Sequence, residues 1–145
     1  MVEQVNQWLQ SLHEVAPGSI GDRLGLQVLS YEEVKNEVIM RCDTETWMRN
    51  AHGTLHGGLC ATIADQAMGS VACCFKRGEG ILPAIELHLN YHRPLIPGEG
   101  VLLHVRPVSV TKTLIHVTSD LYREDSPDKL CISADATYYF KPAQA

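Results

Sequence analysis

The sequence predicts an α+β fold: one antiparallel sheet curled around a long central helix, with an extra helix at the N-terminus. Two observations carry this. Residues Leu59 to Phe75 are apolar or small on nearly every side, and a helix that is apolar all round must be buried. After Gly80, four runs alternate apolar and polar residues with a period of two, the pattern of strands covered on one face. A chain of 145 residues can bury that helix only by wrapping the strands around it.

Each element has its own signal. Val2, Val5, Trp8, Leu9 and Leu12 fall at helical spacing and predict an amphipathic N-terminal helix, ended by Pro17-Gly18. Leu24 to Tyr31 and Val34 to Cys42 read as two strands, and Thr44 to Leu55 as a loop. The central helix is expected over Gly57 to Lys76, closed by Gly78-Glu79-Gly80. The later strands bury Ile85, Leu87, Leu89 and Tyr91; then Val101, Leu103 and Val105; then Ile115, Val117, Ser119 and Leu121; then Ile132, Ala134, Ala136 and Tyr138. The links hold Pro97-Gly98, a tight stretch at Val110 to Thr113, and Ser126-Pro127-Asp128. Short links predict that each of these strands pairs with the next. No repeat or linker interrupts the chain, so residues 1–145 read as a single domain.

Composition narrows the function. Charged residues make up 20% of the chain and hydrophobic ones 45%, which excludes disorder and low complexity. The formal net charge of −5 argues against a nucleic-acid partner. The most apolar stretch contains Asp65 and Gln66, so it is a poor membrane span. The start of the chain lacks the basic and apolar regions of a secretory signal. Five scattered cysteines without a C-x-x-C pair read as reduced core residues of a cytoplasmic protein. His52-x-x-x-His56 has the spacing of two metal ligands, but no third ligand is spaced to join it, so no metal is expected.

Asp65 is the residue that stands out. An ionised carboxylate in an apolar helix is expensive unless it is paired or working as a general base or nucleophile. Eight residues earlier, Gly57 and Gly58 follow His56 at the start of the same helix. Glycines there leave backbone N–H groups open at the positive end of the helix dipole, where they can polarise a carbonyl oxygen. Eight residues along a helix is roughly 12 Å. One carbonyl therefore cannot contact Gly57 and Asp65 of the same chain. If both act on it, the second group comes from another copy in an isologous homodimer, with two shared sites.

The run Asn50-x-His52-x-x-x-His56-Gly57-Gly58, followed by Ala61, Ala64-Asp65 and Gly69, resembles the hotdog-fold acyl-CoA thioesterases, and most of all the PaaI-like (phenylacetate-pathway) family. Tyr91-His92-Arg93-Pro94 and Pro97-Gly98 resemble the strand and turn that follow in that family. The resemblance spans Leu24 to Phe140, leaving the N-terminal helix outside. It implies the hotdog fold, a homodimer that pairs into a dimer of dimers, and hydrolysis of an acyl-CoA to free acid and coenzyme A. No cofactor is implied, since coenzyme A is part of the substrate. By the same resemblance Asp65 is the general base or nucleophile, and the Gly57 N–H polarises the carbonyl. Asn50 and His56 lie near the attacking water and the thioester, and Gly58 and His52 belong to the substrate side. Many members carry Ser or Thr at the start of the next strand, where this sequence has Ala84. Lys76, Arg77, Arg93 and Lys112 are candidates to meet the phosphates of coenzyme A. Two other activities fit the residues. One is a hotdog hydratase or dehydratase using His56 and Asp65 as an acid–base pair, and the other is a non-catalytic acyl-CoA binding module. Release of free thiol separates hydrolysis from both.

Overall fold

A computed structural model describes residues 1–144. The chain opens with α1 (Val2–Val15) and a short α2 (Ile20–Leu24), then β1 (Gln27–Glu32) and β2 (Glu37–Asp43). The central helix α3 (Gly57–Cys73) follows a loop containing one 3-10 turn at Thr46–Met48. Six strands complete the chain: β3 (Gly80–Ile81), β4 (Ala84–Tyr91), β5 (Gly100–Val110), β6 (Leu114–Arg123), β7 (Ser126–Tyr139) and β8 (Lys141–Pro142). Six strands form one antiparallel sheet in the order β1-β2-β5-β6-β7-β4, while β3 and β8 pair separately.

The period-two reading of β5, β6 and β7 holds. Leu103, Val105, Ile115, Val117, Leu121, Ile132 and Ala136 are buried and meet Ile63, Ala67, Met68 and Val71 of α3 in one core. The helix lies across β5, β6 and β7, and α1 packs on β1 and α3 through Val5.

Four expectations are corrected. The first concerns strand order: β4 does not pair with β5 but crosses to the far edge and pairs with β7, Leu89 opposite Ala134. The reason lies in the link between them. The loop 92–99 is pinned away from a hairpin, because Arg93 N–H donates to Cys131 O and Gly98 N–H to Thr44 Oγ1. The second concerns the apolar face of β4, which the chain leaves uncovered: Ile85 and Tyr91 are each 56% exposed and Leu87 37%. The third is local. Ser19 accepts from the Asp22 N–H and Gly25 adopts φ +57°, so α2 forms where the strand was expected to begin. The fourth is the turn before β7. It is Glu124-Asp125, and Pro127 lies inside the strand at a register shift, where its missing N–H is not needed.

The central helix is not wrapped on every side. Gly58, Ala61, Thr62, Asp65, Gln66, Gly69 and Cys73 stay at least partly exposed. Their spacing of three and four places them in one stripe along α3. The apolar count hid this stripe because small residues score as apolar whether or not they are covered. The stripe and the open strand β4 are the two unfinished surfaces of the fold.

Candidate active site

The N-terminus of α3 is built by its loop. Asn50 organises it: its Oδ1 accepts from the N–H of His52 (2.9 Å) and of Thr54 (3.1 Å), and its Nδ2 donates to Thr54 Oγ1 (2.8 Å). Gly53 at φ +83° makes the turn that closes this ring, a conformation that favours glycine. The loop is then anchored to the body, Leu55 N–H to Leu95 O and His56 N–H to Met48 O, both at 2.9 Å.

His56 is the N-cap of α3. Its Nδ1 accepts from the Gly58 N–H at 3.0 Å. A ring nitrogen that accepts carries no proton, so in the neutral ring Nε2 carries it and is available as a donor. The cap uses the Gly58 N–H and leaves the Gly57 N–H without a partner among the described residues. Gly57 itself is held firmly, because the Tyr91 hydroxyl donates to its carbonyl at 2.7 Å. The result is an open donor at the positive end of a helix of 17 residues. A cavity of about 290 Å³ lies over it, lined by Asn50, Gly57, Cys60, Tyr91 and Arg93 among others.

The second centre is on the helix stripe. Asp65 is half-buried. Its Oδ1 accepts from the Tyr138 hydroxyl at 2.8 Å, and its own carbonyl oxygen accepts from the same hydroxyl at 3.0 Å. Burial and the Asp65 charge push the Tyr138 phenol far above its ordinary range, so it stays a donor. Asp65 borders two openings. One, of about 200 Å³, is lined by Trp8, Gly69, Leu82, Ala84 and Tyr138. The other, of about 400 Å³, is lined by Ile20, Ala61, Thr62 and Leu87.

Within one chain, then, Asn50 and Gly57 share a cavity and Asp65 opens into others. His52, His56 and Gly58 are exposed at the helix start. Arg93 borders the Gly57 cavity while donating to Leu130 O. Lys76 lies near Trp8 and donates to Gly80 O. Arg77 and Lys112 are exposed. No group of three or more His, Cys, Asp or Glu residues among those described could hold a metal ion. The cysteines are unpaired. Burial pushes the Cys60 thiol beside the Gly57 cavity up to about 11, so it is not a thiolate nucleophile near neutrality.

Comparison with known proteins bears on what this arrangement is for. A family model described as the thioesterase superfamily matches residues 52–129. The chain belongs to the thioesterase superfamily. Its chemistry is therefore thioester hydrolysis. Human acyl-coenzyme A thioesterase 13 is 31% identical, over 77% of this chain and 82% of that one. Two solved structures share the fold. The PaaI protein of the E. coli phenylacetic acid degradation operon superposes with a TM-score of 0.76 at 16% identity, covering 99% of this chain and 97% of its own. A Streptococcus mutans protein bound to acetyl CoA gives 0.68 at 21%, covering 83% and 91%. The architecture is the hotdog fold of this superfamily, as the resemblance implied.

Three neighbours of the site have no assigned contact in the sequence: Tyr91 and Tyr138 are expected there only to pack the core or line the acyl pocket, and Trp8 lies outside the resemblance. A signal existed for Tyr138. Period two turns it inward on β7, and an inward tyrosine needs a partner for its hydroxyl.

Proposed function

We propose that this thioesterase hydrolyses an acyl-CoA to free acid and coenzyme A in a site shared between two copies of the chain. The unpartnered Gly57 N–H at the start of α3, with Asp65 two turns further along the same helix, is the observation that carries the reading. The thioester oxygen sits at the Gly57 N–H of one protomer, where the helix dipole and the fixed donor favour the charge that develops on it. Asp65 of the other protomer takes a proton from water, or attacks directly as nucleophile. The new C–O bond forms, the C–S bond breaks, and coenzyme A leaves as a thiolate that needs little acid assistance; where Asp65 is the nucleophile, the product of this step is a mixed anhydride, which water then cleaves to the free acid and the Asp65 carboxylate. Nε2 of His56 and the free N–H of Asn50 Nδ2 lie on the side of the attacking water and the thioester. His52 and Gly58 belong to the substrate side, with Arg93 nearest the coenzyme A phosphates. No metal or separate cofactor takes part.

The shared site has support from two surfaces. An exposed apolar edge strand is a ready template for pairing with another chain, and β4 is such an edge. The uncovered stripe of α3 presents mainly small residues beside it. A second copy related by a twofold axis covers both at once. A dimer of dimers, a single domain over 1–145 and a cytoplasmic setting complete the proposal. Unpaired cysteines fit a reducing compartment, and no described helix is long and apolar enough to cross a membrane.

The test is thiol release from short, medium, long and aryl acyl-CoAs, wild type beside Asp65→Asn. Turnover on one acyl class that falls by at least about a hundredfold in the variant supports the reading. Wild-type turnover retained by Asp65→Asn removes Asp65 from the mechanism. Binding without any thiol release points instead to an acyl-CoA binding module.

A further inference from the structure

We propose that Tyr138 is a positioning residue for Asp65: its buried hydroxyl clamps one carboxylate oxygen and leaves the other aimed at the open stripe of α3. The inference rests on the reading of Asp65 as the working carboxylate. Three observations lead to it. The Tyr138 hydroxyl touches the same residue twice, at Asp65 Oδ1 (2.8 Å) and at the Asp65 carbonyl (3.0 Å). The one phenolic proton is shared between the two acceptors in a three-centre bond, whose shorter arm is the charge-assisted one to the carboxylate. Asp65 Oδ2 has no partner among the described residues, so it is the oxygen left to meet water.

The second observation is rigidity. Tyr138 is only 3% exposed, and its ring lies beside Gly69 one turn further along α3, where an added Cβ would make no more than ordinary contact with it. A donor with no freedom of its own sets the position of its acceptor. The third is the neighbour opposite. Ala84 pairs with Tyr138 across β4 and β7 and lines the same cavity as Asp65. Its methyl group offers Asp65 no hydrogen bond, so the tyrosine is the hydroxyl donor there.

A purely structural tyrosine would satisfy its hydroxyl in the same way, so the experiment must separate the two roles. Steady-state kinetics and melting temperature are measured for wild type, Asp65→Asn, Tyr138→Phe and Tyr138→Phe/Ala84→Ser. Phenylalanine keeps the ring and removes only the donor. The proposal expects kcat of Tyr138→Phe to fall about tenfold to a hundredfold, the range of a hydrogen bond to a charged group, with KM nearly unchanged. It expects the double variant to recover at least about threefold of that loss, since the serine introduced by Ala84→Ser restores a hydroxyl beside the carboxylate. Wild-type kcat in Tyr138→Phe overturns the proposal. So does a loss shared by kcat and melting temperature that the added serine does not relieve, or a single variant that cannot fold, since the hydroxyl is then structural. Full activity in Asp65→Asn defeats the underlying reading instead, and the two failures are distinguishable.

Discussion

Proline at position 57 deletes one atom of the proposed machinery and little else. It has no N–H, so Gly57→Pro removes the oxyanion donor outright. The site is unusually tolerant of the change. Position 57 is the first residue of α3, where proline is favoured because that N–H has no helical partner. His56 already has ψ 130°, within the extended region that a residue before proline prefers. The Gly57 N–H makes no bond in the described structure, so none is lost. A Cβ at this position would meet Tyr91 Oη at 3.4 Å, a contact relieved by a small shift of the ring. The melting temperature is therefore expected to stay near that of wild type. The rate is not. Losing one preorganised donor to a developing oxyanion costs about 2.7–4 kcal/mol, or roughly 10²–10³ in kcat. Gly57→Ala carries the same Cβ and keeps the N–H, so the gap between the two variants isolates the donor. Mixing then tests the sharing of the site. When Gly57→Pro and Asp65→Asn chains are dissociated and reassociated at random, about half the dimers are mixed. Each mixed dimer holds one site with both Gly57 N–H and Asp65 intact. Activity should rise to about a quarter of wild type from two nearly inactive parents. Wild-type kcat in Gly57→Pro refutes the donor, and a mixture no more active than its parents refutes a site built from two chains.

Two further outcomes follow from the open edge and the buried thiols. Leu87→Lys puts a charge on the uncovered face of β4, and twofold symmetry repeats it. With about 3–5 kcal/mol for each uncompensated buried charge, sedimentation should show monomer and thiol release should fall with it, while far-UV circular dichroism is retained. A dimer that persists with full activity places the interface elsewhere. Burial holds Cys42 up to about 12 and Cys60 up to about 11, from an ordinary 9.0. Between those values the unfolded chain releases protons that the folded chain keeps, so stability falls as pH rises through that window and is complete below it. The urea midpoint should decline from about pH 9 upward, and a midpoint flat to pH 11 refutes the assignment.

The central helix and the inward faces of β5, β6 and β7 were legible because burial there writes a periodic pattern into the sequence. Strand order was not, because it is decided by the loop 92–99. The bonds of that loop to Cys131 and Thr44 join residues far apart in the chain, and a short link with Pro97-Gly98 looks the same whether it closes a hairpin or crosses the sheet. The second helix was missed although Ser19 and Gly25 mark its ends, since five residues carry too little periodicity to compete with a strand reading. At the candidate site, Gly57 and Asp65 stand out in the sequence as residue types in an unusual place, and their part in the reaction is a proposal. The tyrosines that hold them do not stand out. Period two turns Tyr138 inward without naming its partner, and only three-dimensional contact shows that its hydroxyl meets Asp65 and that the Tyr91 hydroxyl meets Gly57.

The shared-site reading also fixes where a twofold axis must pass. For residue 57 of one α3 to lie beside residue 65 of an antiparallel partner, the axis must cross the helix pair midway, at residue 61. That residue is Ala61, on the uncovered stripe, beside the opening bordered by Asp65 and Leu87. Helix separation is set by the side chains at the point of contact, within about 8–10 Å. An alanine facing its own copy on the axis allows the near end of that range. A bulky residue there would push the two helices apart and carry each carboxylate away from the carbonyl held at the opposite Gly57. The small residues of the stripe, Gly58, Ala61 and Gly69, therefore have a reason beyond filling a core. In the proposed dimer they leave the helix bare where a second helix comes close, and because small residues count as apolar the same stripe makes the sequence read as uniformly apolar.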